Sequence, residues 1–194
     1  MLGWLVRENY MESQRRKLFR TLQEEEEMKL MPRPRSVEQA YGLLGLTLGT
    51  FPPAAIFIRL FGDSFLRNNS DSFIFVILLL AMNLVCAVVG YGMGRVFGKL
   101  NFQLERSSWT KLLLLSPLVG LLWGIITGAA GGLVFFGIGA LFGPIFAIPV
   151  SMVAFPIFAI LHRLLERGGM IERRHSLPLA FGVSLTITAF ILGI

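Results

Sequence analysis

A chain of 194 residues would suit one or two soluble domains, but this one is 54% hydrophobic, only 15% charged, and has a mean hydropathy of +0.67. A soluble interior of that size cannot hide so much apolar surface. The net charge of +6 comes from 18 Lys+Arg against 12 Asp+Glu, in separated blocks without interleaved aromatics, which excludes a nucleic-acid surface.

Residues 1–36 form a region of their own. Leu2, Trp4, Leu5, Met11, Leu18, Phe19 and Leu22 recur at roughly helical spacing, and a basic cluster (Arg15, Arg16, Lys17, Arg20) precedes the acidic run Glu24–Glu27. The pattern predicts an amphipathic helix on the cytoplasmic leaflet or against a partner; a solvated extension fits the same residues. Pro32 and Pro34 end it and stiffen the lead-in to the first apolar stretch. The apolar run at the start is too short for a signal peptide, and Met11 is an alternative start.

Beyond this region lie four uncharged stretches: residues 39–58, 72–94, 112–161 and 176–194. About 20 helical residues cross a hydrocarbon layer of about 30 Å, so the first, second and fourth are one span each. The third, at 50 residues, must fold back on itself. The best turn is Gly137–Pro144, where glycine permits positive φ and proline cannot continue a helix, giving spans 112–136 and 144–162. The expected fold is an all-α polytopic membrane bundle of about five spans over residues 37–194.

Charge placement predicts its orientation. Five alternating spans leave 16 of the 18 basic residues on one side and two, Arg59 and Arg67, on the other. The positive-inside rule assigns the 16 to the cytoplasm, with the N-terminus inside and the C-terminus outside. Even span counts lose this sorting. The expected location is a bacterial inner membrane or its equivalent.

Small residues then predict how the spans pack. Ser116, Gly120, Gly124, Gly128 and Gly132 recur every four residues in the third span, and Gly90, Gly94 and Gly98 in the second. Gly45 and Gly49 in the first span and Ala180, Ser184 and Thr188 in the fifth repeat the device. Such rows let helix backbones approach closely, either inside the bundle or against a second copy or another membrane subunit. Pro52, Pro53, Pro117, Pro144, Pro149 and Pro156 lie within spans. They read as kinks met by neighbouring groups or as the broken helices of a transporter.

Reactive chemistry is sparse. No ionisable side chain lies well inside a span, which argues against proton or ion coupling. A single cysteine, Cys86, excludes an intrachain disulfide and a multi-cysteine metal site. Cys86 and Asn83 are the most polar pair at depth, with Asn83 suited to an interhelical hydrogen bond. Thr47, Thr50, Asn83 and Ser151 are the candidates for a polar path. His162 reads as a headgroup contact beside Arg163, or as a ligand to a tetrapyrrole or metal. Arg163, Arg167, Arg173 and Arg174 suit anionic headgroups. Glycine clusters 90–94 and 128–132 lack the Lys-Ser/Thr of a phosphate loop, and Ser151 and Ser184 have no basic partner at matching depth.

These residues imply no cofactor, metal site or catalytic constellation. The leading expectation is a non-enzymatic membrane subunit or scaffold, in contact with the lipid bilayer and packing with itself or other membrane subunits through its glycine faces. A small oligomeric channel or passive transporter is the alternative, and a lipid- or pigment-binding accessory protein a third.

Overall fold

The computed structural model describes residues 35–67, 72–105, 108–135, 137, 139–166 and 170–194. The expected amphipathic helix, apart from Arg35 and Ser36, lies outside them. The described chain is helical apart from one short strand pair. Its elements are β1 (Arg35–Ser36), α1 (Val37–Arg67), α2 (Ser72–Glu105), α3 (Trp109–Gly132), α4 (Gly139–Leu165), β2 (Met170–Ile171) and α5 (Arg173–Leu192). Each of the five helices is long and apolar enough to cross a membrane.

The uncharged stretches locate the helices but misjudge their ends. α1 continues to Arg67 rather than residue 58, and α2 to Glu105 rather than residue 94. Backbone hydrogen bonding does not stop where charge begins, because long basic side chains reach outward from a continuing helix. The α3–α4 turn falls between Gly132 and Gly139, earlier than the expected Gly137–Pro144. The chain leaves α3 through tight bonds, Leu133 N–H to the Ala129 carbonyl (3.0 Å) and Phe135 N–H to that of Gly132 (3.0 Å). Gly137, at φ 81°, supplies the left-handed turn residue. Pro144 lies inside α4, and Pro52, Pro53, Pro117, Pro149 and Pro156 are likewise within continuous helices. The described helices are not broken in the transporter manner.

Two antiparallel hairpins, α1–α2 and α3–α4, build the bundle, and α5 packs on α1 and less extensively on α4. Glycines set both hairpin seams. A Cβ placed on Gly45 would fall on the Gly90 carbonyl oxygen, and one on Gly94 on that of Tyr41. In the other hairpin, a Cβ on Gly120 would meet the Ser151 carbonyl, and one on Gly132 the carbonyl of Gly139. Only hydrogen fits between such backbones, and the resulting van der Waals contact is what holds helices together where no water is expelled.

Both ends of the bundle can be assigned from contacts. Lys99 at the end of α2 meets Glu38 at the start of α1 (3.9 Å). The Arg163 guanidinium near the end of α4 lies 4.2 Å from the ring centroid of Trp109 at the start of α3. β1 pairs antiparallel with β2, matching Arg35 with Ile171 and Ser36 with Met170, so the entry to α1 is tied to the α4–α5 connection. Arg35, Lys99, Arg163, Arg173 and Arg174 therefore gather at one end. Arg59 stands at the other, donating to the Ile191 carbonyl at the C-terminus of α5 (2.7 Å), where a cation meets the negative end of the helix dipole.

Aromatic packing is concentrated toward the basic end. Tyr41 meets Phe158 edge-on at 4.9 Å and Phe155 at 6.0 Å, and Phe155 meets Trp123 at 5.8 Å. Leu44, Leu48 and Leu112 complete this core.

Candidate functional site

Beyond Trp123, toward the end marked by Arg59, the hairpins separate and leave a cavity of about 470 Å³. α1 contributes Pro52, Pro53, Ile56 and Phe57, where a proline pair replaces two side chains that would reach further. α2 contributes Met82 and Cys86. α3 and α4 contribute the glycine-rich wall (Gly128, Gly131, Gly132, Gly139 and Gly143), with Phe135, Phe142 and Phe146 around it. The small residues that bring α3 and α4 together thus also leave space on the side facing α1. Leu60, Phe142 and Phe146 line the cavity and are themselves exposed, so it opens to the surface beside α1 and the first turns of α4.

The lining is almost wholly apolar, and its few polar groups can be followed one by one. The Trp123 indole N–H donates to the Gly90 carbonyl (3.1 Å). The Cys86 thiol donates to the Thr127 carbonyl (3.8 Å). Thr127 Oγ1 is buried and has no hydrogen-bond partner among the described residues. No Asp, Glu, Lys, Arg or His stands among the lining residues.

The residues expected to form a polar path are not brought together. Thr47 is buried between α1 and α5, 2.7 Å from Ser184 Oγ and donating to carbonyls of Leu43 or Leu44. Thr50 bonds back to the Leu46 carbonyl (2.7 Å), and Ser151 to those of Ala147 (2.8 Å) and Ile148 (3.1 Å). Short hydroxyl side chains on helices satisfy themselves on the preceding turn, so these three have little left to offer a solute. Asn83 Oδ1 makes no interhelical bond among the described residues, and none of the four lines the cavity.

The glycine rows face this chain's own helices. Gly90, Gly94 and Gly98 pack on α1, and Gly120, Gly124, Gly128 and Gly132 on α4. Ser116 is buried with them, its hydroxyl without a partner among the described residues. His162 is a correction. It is 0% exposed rather than interfacial, with ring contacts to Tyr41 (5.8 Å) and Phe158 (5.9 Å) and Nδ1 3.9 Å from Glu166. α4 runs on to Leu165, so His162 stands within the helix, on the face that meets Tyr41 of α1.

Of the basic residues, Arg163 stacks on Trp109 and Arg174 pairs with Glu172. Partial burial and, after it, the nearby charge of Arg173 hold the Arg35 guanidinium below its ordinary range. Arg167 lies outside the described residues. The described residues contain no cluster of His, Cys, Asp or Glu suited to a metal ion.

The cavity was not visible in the sequence. Its traces there were Pro52-Pro53, Gly139 and Gly143, which read as kinks and turn residues, and Gly131, which read as part of a glycine cluster without the marks of a phosphate loop. Compared with protein-family models, with curated proteins and with solved structures, the chain matches none.

Proposed function

We propose that this chain is a five-span integral membrane protein, N-terminus in the cytoplasm and C-terminus outside, that holds an apolar molecule drawn from the bilayer. The cavity of about 470 Å³ between the hairpins carries the reading. Its volume lies within the range of small-molecule sites, about 300–1,000 Å³. Its mouth is bordered by exposed apolar side chains, Leu60, Phe142 and Phe146, which suit an apolar guest. The bundle is a binding device rather than an enzyme on this reading, since its lining offers neither a general acid nor a base.

Orientation rests on the charge at the basic end together with the positive-inside rule. The pairing of β1 with β2 supports an arrangement in which the N-terminal lead-in and the α4–α5 connection share one side. The channel alternative loses its motivating observation, because its hydroxyls are engaged on their own helices. A membrane-subunit role is supported by a different feature, α2, of whose apolar span only 11% is buried. Phe73, Leu80, Leu84 and Val88 face outward from it.

Trp123 is a built-in reporter, because it lines the cavity yet is only 2% exposed. With Trp4→Phe and Trp109→Phe removing the other indoles, a brominated alkane added to vesicles should quench Trp123 saturably at low mole fraction. Ala147→Phe, which fills the cavity, should abolish the saturable phase. Quenching that merely tracks the bulk bromine content of the bilayer refutes the binding role. A reporter fused after Ile194 should be active only outside the cytoplasm; cytosolic activity refutes the odd number of crossings.

A further inference from the structure

We infer that the basic end holds a site separate from the cavity, which takes the phosphate of an anionic membrane lipid among Arg35, Arg95 and Arg173 on the outer face of α1. Arg35 is held from the α5 side. Its Nη1 donates to Ser176 Oγ (3.4 Å), and that hydroxyl, fully buried, donates to the Arg173 carbonyl (3.2 Å). The strand pairing fixes the Arg35 backbone opposite Ile171. From the other side α2 brings Tyr91 and Arg95. A Cβ on Gly42 would meet Arg95 Cγ at 2.7 Å and the Tyr91 ring at 3.1 Å, so the Arg95 stem lies against bare α1 backbone. Its guanidinium stands 5.9 Å from the Tyr91 ring centroid. Arg173 and Tyr91 are both within electrostatic reach of the Arg35 guanidinium, which links the two sides.

These guanidiniums have no acidic partner among the described residues. The acids whose side chains are described at this end are engaged elsewhere: Glu38 with Lys99, Glu172 with Arg174, and Glu166 beside His162. Like charges held together favour an anion among them. A phosphate suits the place better than a carboxylate, because its several oxygens can take guanidinium forks from more than one side. Tyr91, itself exposed, adds a hydroxyl donor. Position in the bundle makes the source a lipid. α2 and α5 both pack on α1 without an extended contact of their own, leaving an outer strip of α1 on which Gln39 and Leu46 are exposed. A headgroup at Arg35 would sit where α1 begins, and an acyl chain would run along that strip past Leu46 and Phe181, both exposed and apolar.

The test uses the full chain in detergent micelles and counts bound lipid by native mass spectrometry. Three dioleoyl lipids are titrated: phosphatidylglycerol, phosphatidylcholine, and the glycerol hemisuccinate, which carries its single negative charge on a carboxylate. The first phosphatidylglycerol should bind about tenfold more tightly than either of the others, the worth of one charge-assisted hydrogen bond. Arg173→Gln, at an exposed position, should remove most of that preference. Arg35→Lys, which keeps the charge and loses the fork, should weaken it too. Arg174→Gln removes the same charge from an arginine already paired with Glu172 and should leave the preference intact. Equal binding of phosphatidylglycerol and phosphatidylcholine overturns the site. So does a loss in Arg174→Gln as large as that in Arg173→Gln, the mark of diffuse charge, or hemisuccinate binding as tight as that of phosphatidylglycerol. Displacement of the lipid by millimolar glycerol 3-phosphate overturns it as well, by making a free phosphate ester the ligand. The comparison of lipids on the unsubstituted chain decides the matter even if Arg35→Lys does not fold. None of these outcomes bears on the Trp123 quenching that tests the cavity.

Discussion

Substituting alanine for glycine at three helical positions separates close packing from helix propensity. At Gly128 a methyl group would lie 2.7 Å from three backbone atoms of α4, the carbonyl carbon and oxygen of Gly143 and the nitrogen of Pro144. Ordinary contact begins at 3.4 Å, so α4 must retreat by the difference, about 0.7 Å. Backbone cannot rotate aside as a side chain can. Overpacking of this kind costs about 1–3 kcal/mol, and a backbone obstacle belongs in the upper part of that range. Alanine's better helix propensity returns about 1 kcal/mol, leaving a net loss of roughly 1–2 kcal/mol. Gly92 and Gly182, also helical, have nothing within 4 Å of an added Cβ. Gly92→Ala and Gly182→Ala should therefore be neutral or stabilising by up to about 1 kcal/mol. Unfolding in mixed micelles of rising denaturing-detergent fraction, followed by tryptophan fluorescence, measures all three. Gly128→Ala as stable as the unmodified chain, or Gly92→Ala as damaging as Gly128→Ala, would refute the seam as the source of hairpin stability.

Other perturbations probe how α5 and the strands are held. A double-mutant cycle of Thr47→Val and Ser184→Ala should give a coupling of about 0.6–1.7 kcal/mol, the measured scale of interhelical hydrogen bonds in membranes; zero coupling in the same unfolding assay would remove the 2.7 Å contact as a link between α1 and α5. Ser36→Cys with Met170→Cys should form a disulfide on mild oxidation of isolated membranes, because these residues are antiparallel strand partners, about 4.5–5.5 Å apart at Cα and within disulfide reach. Failure to cross-link, read as an unchanged gel shift, counts against the pairing. Cys86 should not interfere, since it is buried in the helical interior.

Much of the fold was legible because lipid imposes a simple rule. Unpaired charge is excluded from the hydrocarbon, so uncharged runs mark the helices and the remaining charges mark their ends. The 50-residue run could be recognised as a hairpin from length alone, and the even spacing of Gly120, Gly124, Gly128 and Gly132 marked a close-packed face. Helix ends were less legible. The pull of hydrogen bonding carries α1 and α2 past their first charged residues, and tertiary contact holds Pro144 inside α4.

Which face meets which helix was a matter for three dimensions. A row of glycines reads the same whether its mate is a second copy or the adjacent helix; only the fold aligns Gly128 with Gly143 and Gly45 with Gly90. His162 and Thr47 illustrate the same point, since a residue's spacing says where along a helix it stands but not what stands opposite. The cavity belongs wholly to this second kind of information. It arises where α1 and α4 fail to meet, and a gap is a relation between residues distant in the chain that no local pattern records. Composition and charge order were enough to demand a set of apolar helices with one basic end, because solvation acts on each segment separately. Packing acts between segments, so the seams and the cavity between the hairpins were decided only when the helices came together.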